Sequence, residues 1–532
     1  MILNRYSKDS VHPEQADVIR AMLKPETYPQ PPAAITHLQT HISHLFLTGG
    51  LVYKIKKAAH FDFLDFSTLA KRGYFCRQEV LLNRRLTRNI YLGVVKITSE
   101  KGRPMVNGKG PVVEYAVLMR EMPQERMMNQ LLTAGEVGPK DIKALVRTLV
   151  PFYRQARTGA GVDSFGRVSV LTQNTEENFL ETKSYINRLL KRGDYDLLVS
   201  GTRMFLRREK ALLQKRIRQG FIRDCHGDLH SANICLTKPL QIYDCIEFNH
   251  RFRYSDIASD LAFLSMDLDF HGYPELSRLL MEEYVRLSGD RDFPRLLNFY
   301  KSYRAYVRAK IHSFTADDPE LRTKEKKEEG RLAKKYYHLA LSYIQSTRPL
   351  LLVVFGLMGS GKTTLAEELA RQTGWPLFST DEIRKTLVGL SPTTRKWVPF
   401  GKGLYSEMIS RKTYRLMRIE ALKLLEHGQS VILDGSYKRQ AERLLLLGLA
   451  RKTKVRIHFL ECRAPLKIIR RRLDQRRLEP ETVSDGRWEI FKHQRRDFDP
   501  VEDPIKALCL SVKTNEPLPG LISKLRTVLH MP

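Results

Sequence analysis

Residues 350–363 read Leu350-Leu-Leu-Val-Val-Phe-Gly356-Leu-Met-Gly-Ser-Gly-Lys362-Thr363. Six consecutive apolar residues bounded by Pro349 and Gly356 predict a fully buried strand. The stretch TLAEELARQ that follows predicts a helix. Between them stands G-x-x-x-x-G-K-[ST] in strand–loop–helix context. Gly356, Gly359 and Gly361 let backbone N–H groups converge on phosphate oxygens, and the helix N-terminus adds positive potential. Lys362 is expected on the β- and γ-phosphates of a nucleotide and Thr363 on Mg²⁺, with Ser360 and Thr364 completing the phosphate loop.

Downstream, a helix is expected over 415–427, a buried strand over 430–433, a helix over 438–450 and a strand over 455–460. Helical segments then run to the end. Such alternation predicts an α/β domain whose parallel sheet is covered on both faces. Asp434 ends the second of these strands as a carboxylate for Mg²⁺. Ser379-Thr-Asp381-Glu-Ile-Arg384 lies between, and residues 451–477 hold eleven Lys and Arg against two acids. Arg472 and Arg476 stand at i, i+4 on one face of a basic helix. Residues 483–488 read as a substrate or lid loop.

Upstream, residues 320–335 are almost all charged and predict a solvated helix, a linker closed by Pro349. Domains are therefore expected at 1–345 and 346–532. The first opens β-rich, with a short helix over 14–24, strands in 36–56 around Gly49-Gly50, a helix over 68–87 and a second hairpin near Lys101-Gly102. It turns mostly helical from 124. A small β-rich front and a helical back predict an α+β bilobal fold.

Residues 226–233 read His226-Gly-Asp228-Leu-His-Ser-Ala-Asn233, and Asp244 follows in Ile-Tyr-Asp244-Cys-Ile-Glu247. Phosphoryl transfer to a hydroxyl needs a carboxylate to take the proton, oxygens for Mg²⁺ and positive charge on the phosphates. Asp228 is expected as the base, and Asn233 and Asp244 as the oxygen ligands. Lys54, in Val52-Tyr53-Lys54, is expected as the nucleotide lysine with Glu79 as its partner. Lys56, two residues on, shares its face and is the alternative.

The first half resembles the aminoglycoside phosphotransferase and choline kinase family over about residues 30–320, which implies a protein-kinase-like fold and ATP with Mg²⁺. No G-x-G-x-x-G loop is present, and Ile246 stands where protein kinases place glycine. D-x-x-R at Asp381 and Arg384 resembles the small P-loop kinases. That resemblance implies that Asp381 activates an acceptor hydroxyl, Arg384 orients the substrate, and Arg472 and Arg476 serve as lid arginines. Together the halves resemble a bacterial fusion of the two kinds of domain. The resemblance implies a bifunctional ATP-dependent phosphotransferase acting on a small-molecule hydroxyl. Two alternatives stay open. The C-terminal domain could be a polynucleotide 5′-hydroxyl kinase, or one domain could be a regulatory module for the other.

Composition bounds these readings. The chain has 532 residues, 90 Lys+Arg and 59 Asp+Glu, a formal charge of +31. Such an excess favours phosphates or nucleic acid as partners. From residue 349 on, 34 basic against 20 acidic residues carry +14 of it. The six cysteines include no C-x-x-C pair, and the N-terminus has no apolar signal core, so a cytoplasmic protein with reduced thiols is expected.

Overall fold

The computed structural model describes residues 13–61, 63–319, 321–390, 406–478 and 488–529. The chain divides into two compact units, Met1–Ile344 and Gln345–Pro532.

The first unit opens on a six-stranded antiparallel sheet. Its strands are β1 (Thr36–Gln39), β2 (Ser43–Leu47), β3 (Leu51–Lys56), β4 (Tyr91–Glu100), β5 (Arg103–Val106) and β6 (Val112–Arg120). Their order is β1-β2-β3-β6-β4-β5. Gly49 and Gly50, at φ +74° and +108°, close the β2–β3 turn in a region that side chains resist. The run expected as the first strand, THISHLFLT (40–48), starts only at Ser43, because the Thr40 hydroxyl accepts the Ser43 N–H at 3.0 Å and turns the chain between β1 and β2. Period-two alternation sends Tyr53 and Ile55 to one face, against Val18, Ile19 and Met22 of the helix Pro13–Met22. Val52, Lys54 and Lys56 take the other face, where helix α1 (Leu69–Asn83) packs Cys76 and Val80.

The rest of the unit is a helical core that includes α2 (Pro139–Gln155), α3 (Ile257–Phe270), α4 (Phe293–Ala316) and α5 (Thr323–Ser346). Two short ladders, Ile222–Asp224 with Tyr254–Asp256 and Ile234–Cys235 with Gln241–Ile242, frame the loop 226–233. Helix α5 contains the charged run read as a linker, and that reading is corrected here. Ala333, Tyr336, Tyr337, Ala340 and Ile344 recur at helical spacing and are buried in the core. Only the outer face of α5 is solvated.

The second unit is a five-stranded parallel sheet of β7 (Leu350–Phe355), β8 (Leu377–Ser379), β9 (Val431–Gly435), β10 (Arg456–Arg463) and β11 (Cys509–Lys513), in the order β8-β9-β7-β10-β11. All six residues of β7 are buried at its centre. Helix α6 (Lys362–Thr373) and the C-terminal helix Leu518–Val528 cover one face. Helices Glu407–Glu426 and Gln440–Thr453 cover the other. Helix α7 (Thr380–Leu387) follows β8, and α8 (Leu466–Leu478) follows β10. Strand β11 interrupts the helical segments expected there. It is a half-exposed edge strand with one buried residue, Val512, so it carries little apolar signal.

Ile344 tests the correction to α5, since its side chain packs where Gly201 leaves no Cβ. Ile344→Ala is expected to destabilise the first unit by about 2–5 kcal/mol, and Lys324→Glu on the solvated face by under about 0.5 kcal/mol. Urea unfolding of the full chain reads both. A solvated linker would give two small values.

Candidate functional sites

The first site gathers on Glu79, which is 0% exposed on α1. Because Lys54 and Lys56 share one face of β3, both ammonium groups reach it. Lys54 Nζ lies 2.8 Å from Oε1 and Lys56 Nζ 2.6 Å from Oε2. The lysines then diverge. Lys54 also donates to Asp244 Oδ1 at 2.8 Å, while Lys56 is 1% exposed and donates to Glu247. Burial alone would push the Glu79 carboxyl up, but the two lysines outweigh it and hold the group ionised. Lys54 therefore turns toward the half-exposed Asp244 and Lys56 toward the buried Glu247.

Asn233 and Asp244 meet through the ladder between them. Ile234 pairs with Ile242, and Tyr243 N–H donates to the Asn233 carbonyl at 3.0 Å. Asp244 adopts φ +62°, a strained region for a residue with a side chain. Its carboxyl is 47% exposed. Asn233 Nδ2 donates to Asp228 O at 3.0 Å and to Oδ2 at 3.1 Å, so Oδ1 is the oxygen open to a cation. Partial burial pushes the Asp228 carboxyl up. His230, 3.3 Å away, with Arg308 and His226, reverses this and holds it well below the usual carboxylate range.

The loop itself is built from below. Asp260, fully buried on α3, accepts the N–H groups of His226 at 3.0 Å and Gly227 at 2.8 Å and the Tyr153 hydroxyl of α2 at 3.0 Å. Asp256 caps α3 through Ala258 N–H and grips Arg216 with both oxygens. His226 reaches the Tyr243 carbonyl with Nε2 at 2.9 Å and accepts Asp228 N–H at Nδ1, so both ring nitrogens are engaged within the loop. In the connector after β6, Glu121 N–H donates to Gly50 O at 2.9 Å, tying it to the first hairpin.

The second site surrounds the loop 356–363. Parallel register sets Asp434, near the end of β9, beside Val354 of β7 and Ser379 of β8. Thr363, in the first turn of α6, donates to Asp434 Oδ2 at 2.8 Å, and Ser379 reaches the same oxygen at 3.4 Å. Among the described residues, Asp434 Oδ1 and Ser360 Oγ are buried with no hydrogen-bond partner. One open carboxylate oxygen beside a hydroxyl is a donor set that suits hydrated Mg²⁺. Burial pushes the Asp434 carboxyl up to about 6, despite the opposing pull of Lys362 and Thr363. Lys362 and Thr364 occupy the first turn of α6. On α7, Arg384 Nη1 pairs with Asp381 Oδ1 at 2.9 Å.

The loop is braced from elements that sequence reasoning did not connect to it. Met358 N–H donates to Gln494 Oε1 at 2.8 Å. Arg472 Nη2 donates to the Thr514 carbonyl at 2.7 Å, and Nη1 to Gly359 O at 3.4 Å. Expected as a lid residue closing on phosphate, Arg472 instead has its guanidinium on the loop carbonyls. Gly361 packs against it, with 3.0 Å between Arg472 Nη1 and the Cβ that a side chain there would add. The Arg476 side chain and residues 483–487 lie outside the described residues; Trp488 opens the helix Trp488–Arg496. Glu247 and Arg308 at the first site were also missed. Glu247 left one signal, its spacing of three from Asp244.

Fold and loop define the second unit as a P-loop domain. A family described as an AAA domain matches residues 351–501. Over 439 residues the chain is 30% identical to the uncharacterised proteins Rv2004c of Mycobacterium tuberculosis (strain ATCC 25618 / H37Rv) and Mb2027c of Mycobacterium bovis, covering 82% of this chain and 85% of each relative. The chain belongs to the same family as these mycobacterial proteins. Similar solved structures include a sugar kinase from Janibacter sp. HTCC2649, with 19% identity, 35% of this chain and 95% of that chain covered and a TM-score of 0.27. They also include a gluconokinase from Sinorhizobium meliloti 1021, with 17% identity, 34% and 92% covered and a TM-score of 0.25. Among the described residues no helix is long and apolar enough to cross a membrane.

The two lysines of β3 separate by stability. Lys56→Met strands Glu247 and half of Glu79 in the interior and is expected to cost about 3–5 kcal/mol. Lys54→Met leaves Glu79 paired and is expected to cost less than half as much; chemical denaturation showing the reverse order would reassign them. Asp434 predicts a pH dependence in metal-free buffer. Its folded pKa is raised, so its contribution is full below the unfolded value near 3.9 and is lost as pH rises through about 6. Asp434→Asn should therefore stabilise the second unit at pH 8 by up to ~3 kcal/mol and bring no gain near pH 4. Equal melting shifts at both pH values would reject this.

Proposed function

We propose that the chain is a bifunctional ATP-dependent phosphotransferase in which each unit transfers the γ-phosphoryl group of ATP to a hydroxyl. The observation that carries the first half is Lys54, 2.8 Å from Glu79 and from Asp244, beside the bonded pair Asp228 and Asn233. This supports a protein-kinase-like reading of the first unit. Glu79 orients the Lys54 ammonium toward the nucleotide phosphates. Asp228 is ionised at neutral pH and accepts the acceptor's hydroxyl proton as the oxygen approaches phosphorus. Asn233 Oδ1 and Asp244 are the oxygens suited to Mg²⁺. Mg²⁺ held there would neutralise polyphosphate charge.

In the second unit, Lys362 and the loop N–H groups take the phosphates. Thr363 and the open oxygen of Asp434 suit the metal, and Asp381 takes the acceptor proton while Arg384 holds it in place. Arg472 acts by fixing the loop. A polynucleotide acceptor for this unit is supported by the +9 carried by residues 451–477. It is weakened because Arg456, Arg463 and Arg472 of that stretch are engaged by Leu529 O, Glu461 and the loop.

The test incubates γ-labelled ATP with a metabolite extract and, separately, with 5′-hydroxyl oligonucleotides across a salt series. Asp228→Ala is expected to lower the first unit's transfer by about 10²–10⁴-fold with ATP binding retained, and Lys362→Ala to remove only the second. Unchanged turnover in Asp228→Ala sinks the first assignment. Loss of both activities in either variant would make one unit a regulator of the other.

A further inference from the structure

Helix α4 passes beneath the loop 226–233 and carries five Lys and Arg: 295, 301, 304, 308 and 310. Four have visible employment. Arg295, Lys301 and Lys310 pair with Glu209, Asp269 and Glu181 at 2.7–2.8 Å. Arg304 is buried and donates to Gly227 O at 3.0 Å and to Ser259 O at 3.3 Å, holding the residue before Asp228.

Arg308 stands one turn beyond Arg304, on the same helix face, and its charge acts on Asp228. It is half-buried, and among the described residues it forms no ion pair within 4 Å. It hydrogen-bonds the Tyr336 hydroxyl and, at 3.3 Å, His312 Nε2, an imidazole whose burial favours the neutral form and whose other nitrogen meets Glu329. Its guanidinium rests 5.6 Å from the Tyr336 ring centroid. Asp267 does not neutralise it at contact distance, because Asp267 accepts Ser231 N–H at 2.8 Å and faces His271 at 3.8 Å. Burial works against the charge on Arg308, but Tyr336, Asp267 and Asp228 more than restore it. A permanent cation with no ion pair among the described residues thus stands one turn from the arginine that holds Gly227, while Lys54 reaches Asp244 from β3.

We propose that Arg308 is the anion-binding residue of the first site's acceptor pocket, so that the acceptor is an alcohol bearing a phosphate or carboxylate. This rests on the reading of Asp228 as the proton acceptor. The guanidinium fork takes two oxygens of the anion, and the hydroxyl of the same molecule lies on Asp228. The acceptor oxygen forms a bond to the γ-phosphorus and the bond from that phosphorus to the β–γ bridging oxygen breaks. The hydroxyl proton passes to Asp228, and the electron pair leaves with ADP. A cationic amino alcohol would meet Arg308 with like charge, which sets this pocket apart from those built for aminoglycosides or choline.

The test uses the full chain carrying Lys362→Ala, so that only the first site transfers label from γ-labelled ATP. A metabolite extract is split on an anion exchanger into retained and flow-through fractions, and part of the retained fraction is first treated with alkaline phosphatase. Label that depends on Asp228 is expected in the retained fraction. Its loss after phosphatase marks a phosphate ester, and its persistence marks a carboxylate. With the labelled acceptor, Arg308→Gln should raise the acceptor KM about 10–100-fold, with kcat within threefold and the ATP KM unmoved, and Arg308→Lys should recover part of the loss. Asp228-dependent label in the flow-through alone overturns the proposal and leaves the catalytic reading intact. An unaltered acceptor KM in Arg308→Gln overturns it as well. No Asp228-dependent label in either fraction overturns the catalytic reading, and the acceptor assignment with it.

Discussion

A carboxylate at zero exposure between two lysines of one strand is the constraint from which the first unit's site follows. Glu79 could not be buried ionised by itself, since the desolvation cost of a single carboxylate exceeds what a folded domain can tolerate. Two ammonium groups offset that cost, and each brings a further carboxylate with it: Asp244 through Lys54 and Glu247 through Lys56. Strand β3, helix α1 and the segment 244–247 are thereby joined by charge rather than by apolar packing alone. A single Lys–Glu pair can be opened by swinging the helix away. Here that movement would take Glu79 from two ammonium groups at once, while Lys54 and Lys56 kept Asp244 and Glu247 as partners.

The second unit meets the same electrostatic problem differently. Asp434 is as deeply buried as Glu79 but has two hydroxyls on one oxygen and, among the described residues, no hydrogen bond on the other. Its carboxyl accordingly rises toward neutrality where that of Glu79 is held down. A network complete by itself fixes a geometry, whereas an incomplete one provides a place for a cation. The loop around it is rigid for a separate reason: Gln494 and Arg472 hold its backbone from two helices remote in sequence, and Thr514 holds the Ser360 carbonyl.

Legibility followed sequence distance. The phosphate loop could be read because strand, loop and helix are contiguous and each residue's task is set by its neighbours. The Asp228–Asn233–Asp244 set was readable because one short ladder separates its members. Lys54 could be preferred to Lys56 only weakly, because both occupy one strand face and what divides them, Asp244 against Glu247, lies about 190 residues on. Arg308, Gln494 and Thr514 reach their sites across tertiary contacts that leave no local period. Helix α5 was misread for a related reason. Its charges dominate the composition of 320–335, while the apolar stripe that docks it becomes dense only from Ala333 onward, at the edge of that window.

The same distinction reinterprets the net charge of +31. Counted along the chain, each basic residue looks like a surface group awaiting an acidic partner. In the fold, Arg304, Arg443, Arg456 and Arg472 donate to backbone carbonyls, and Arg443 is wholly buried. A carbonyl satisfies a guanidinium's donors without cancelling its charge. These residues therefore keep their share of the positive total while offering few donors to solvent. They brace loops and raise the potential within the sites without making the exterior sticky.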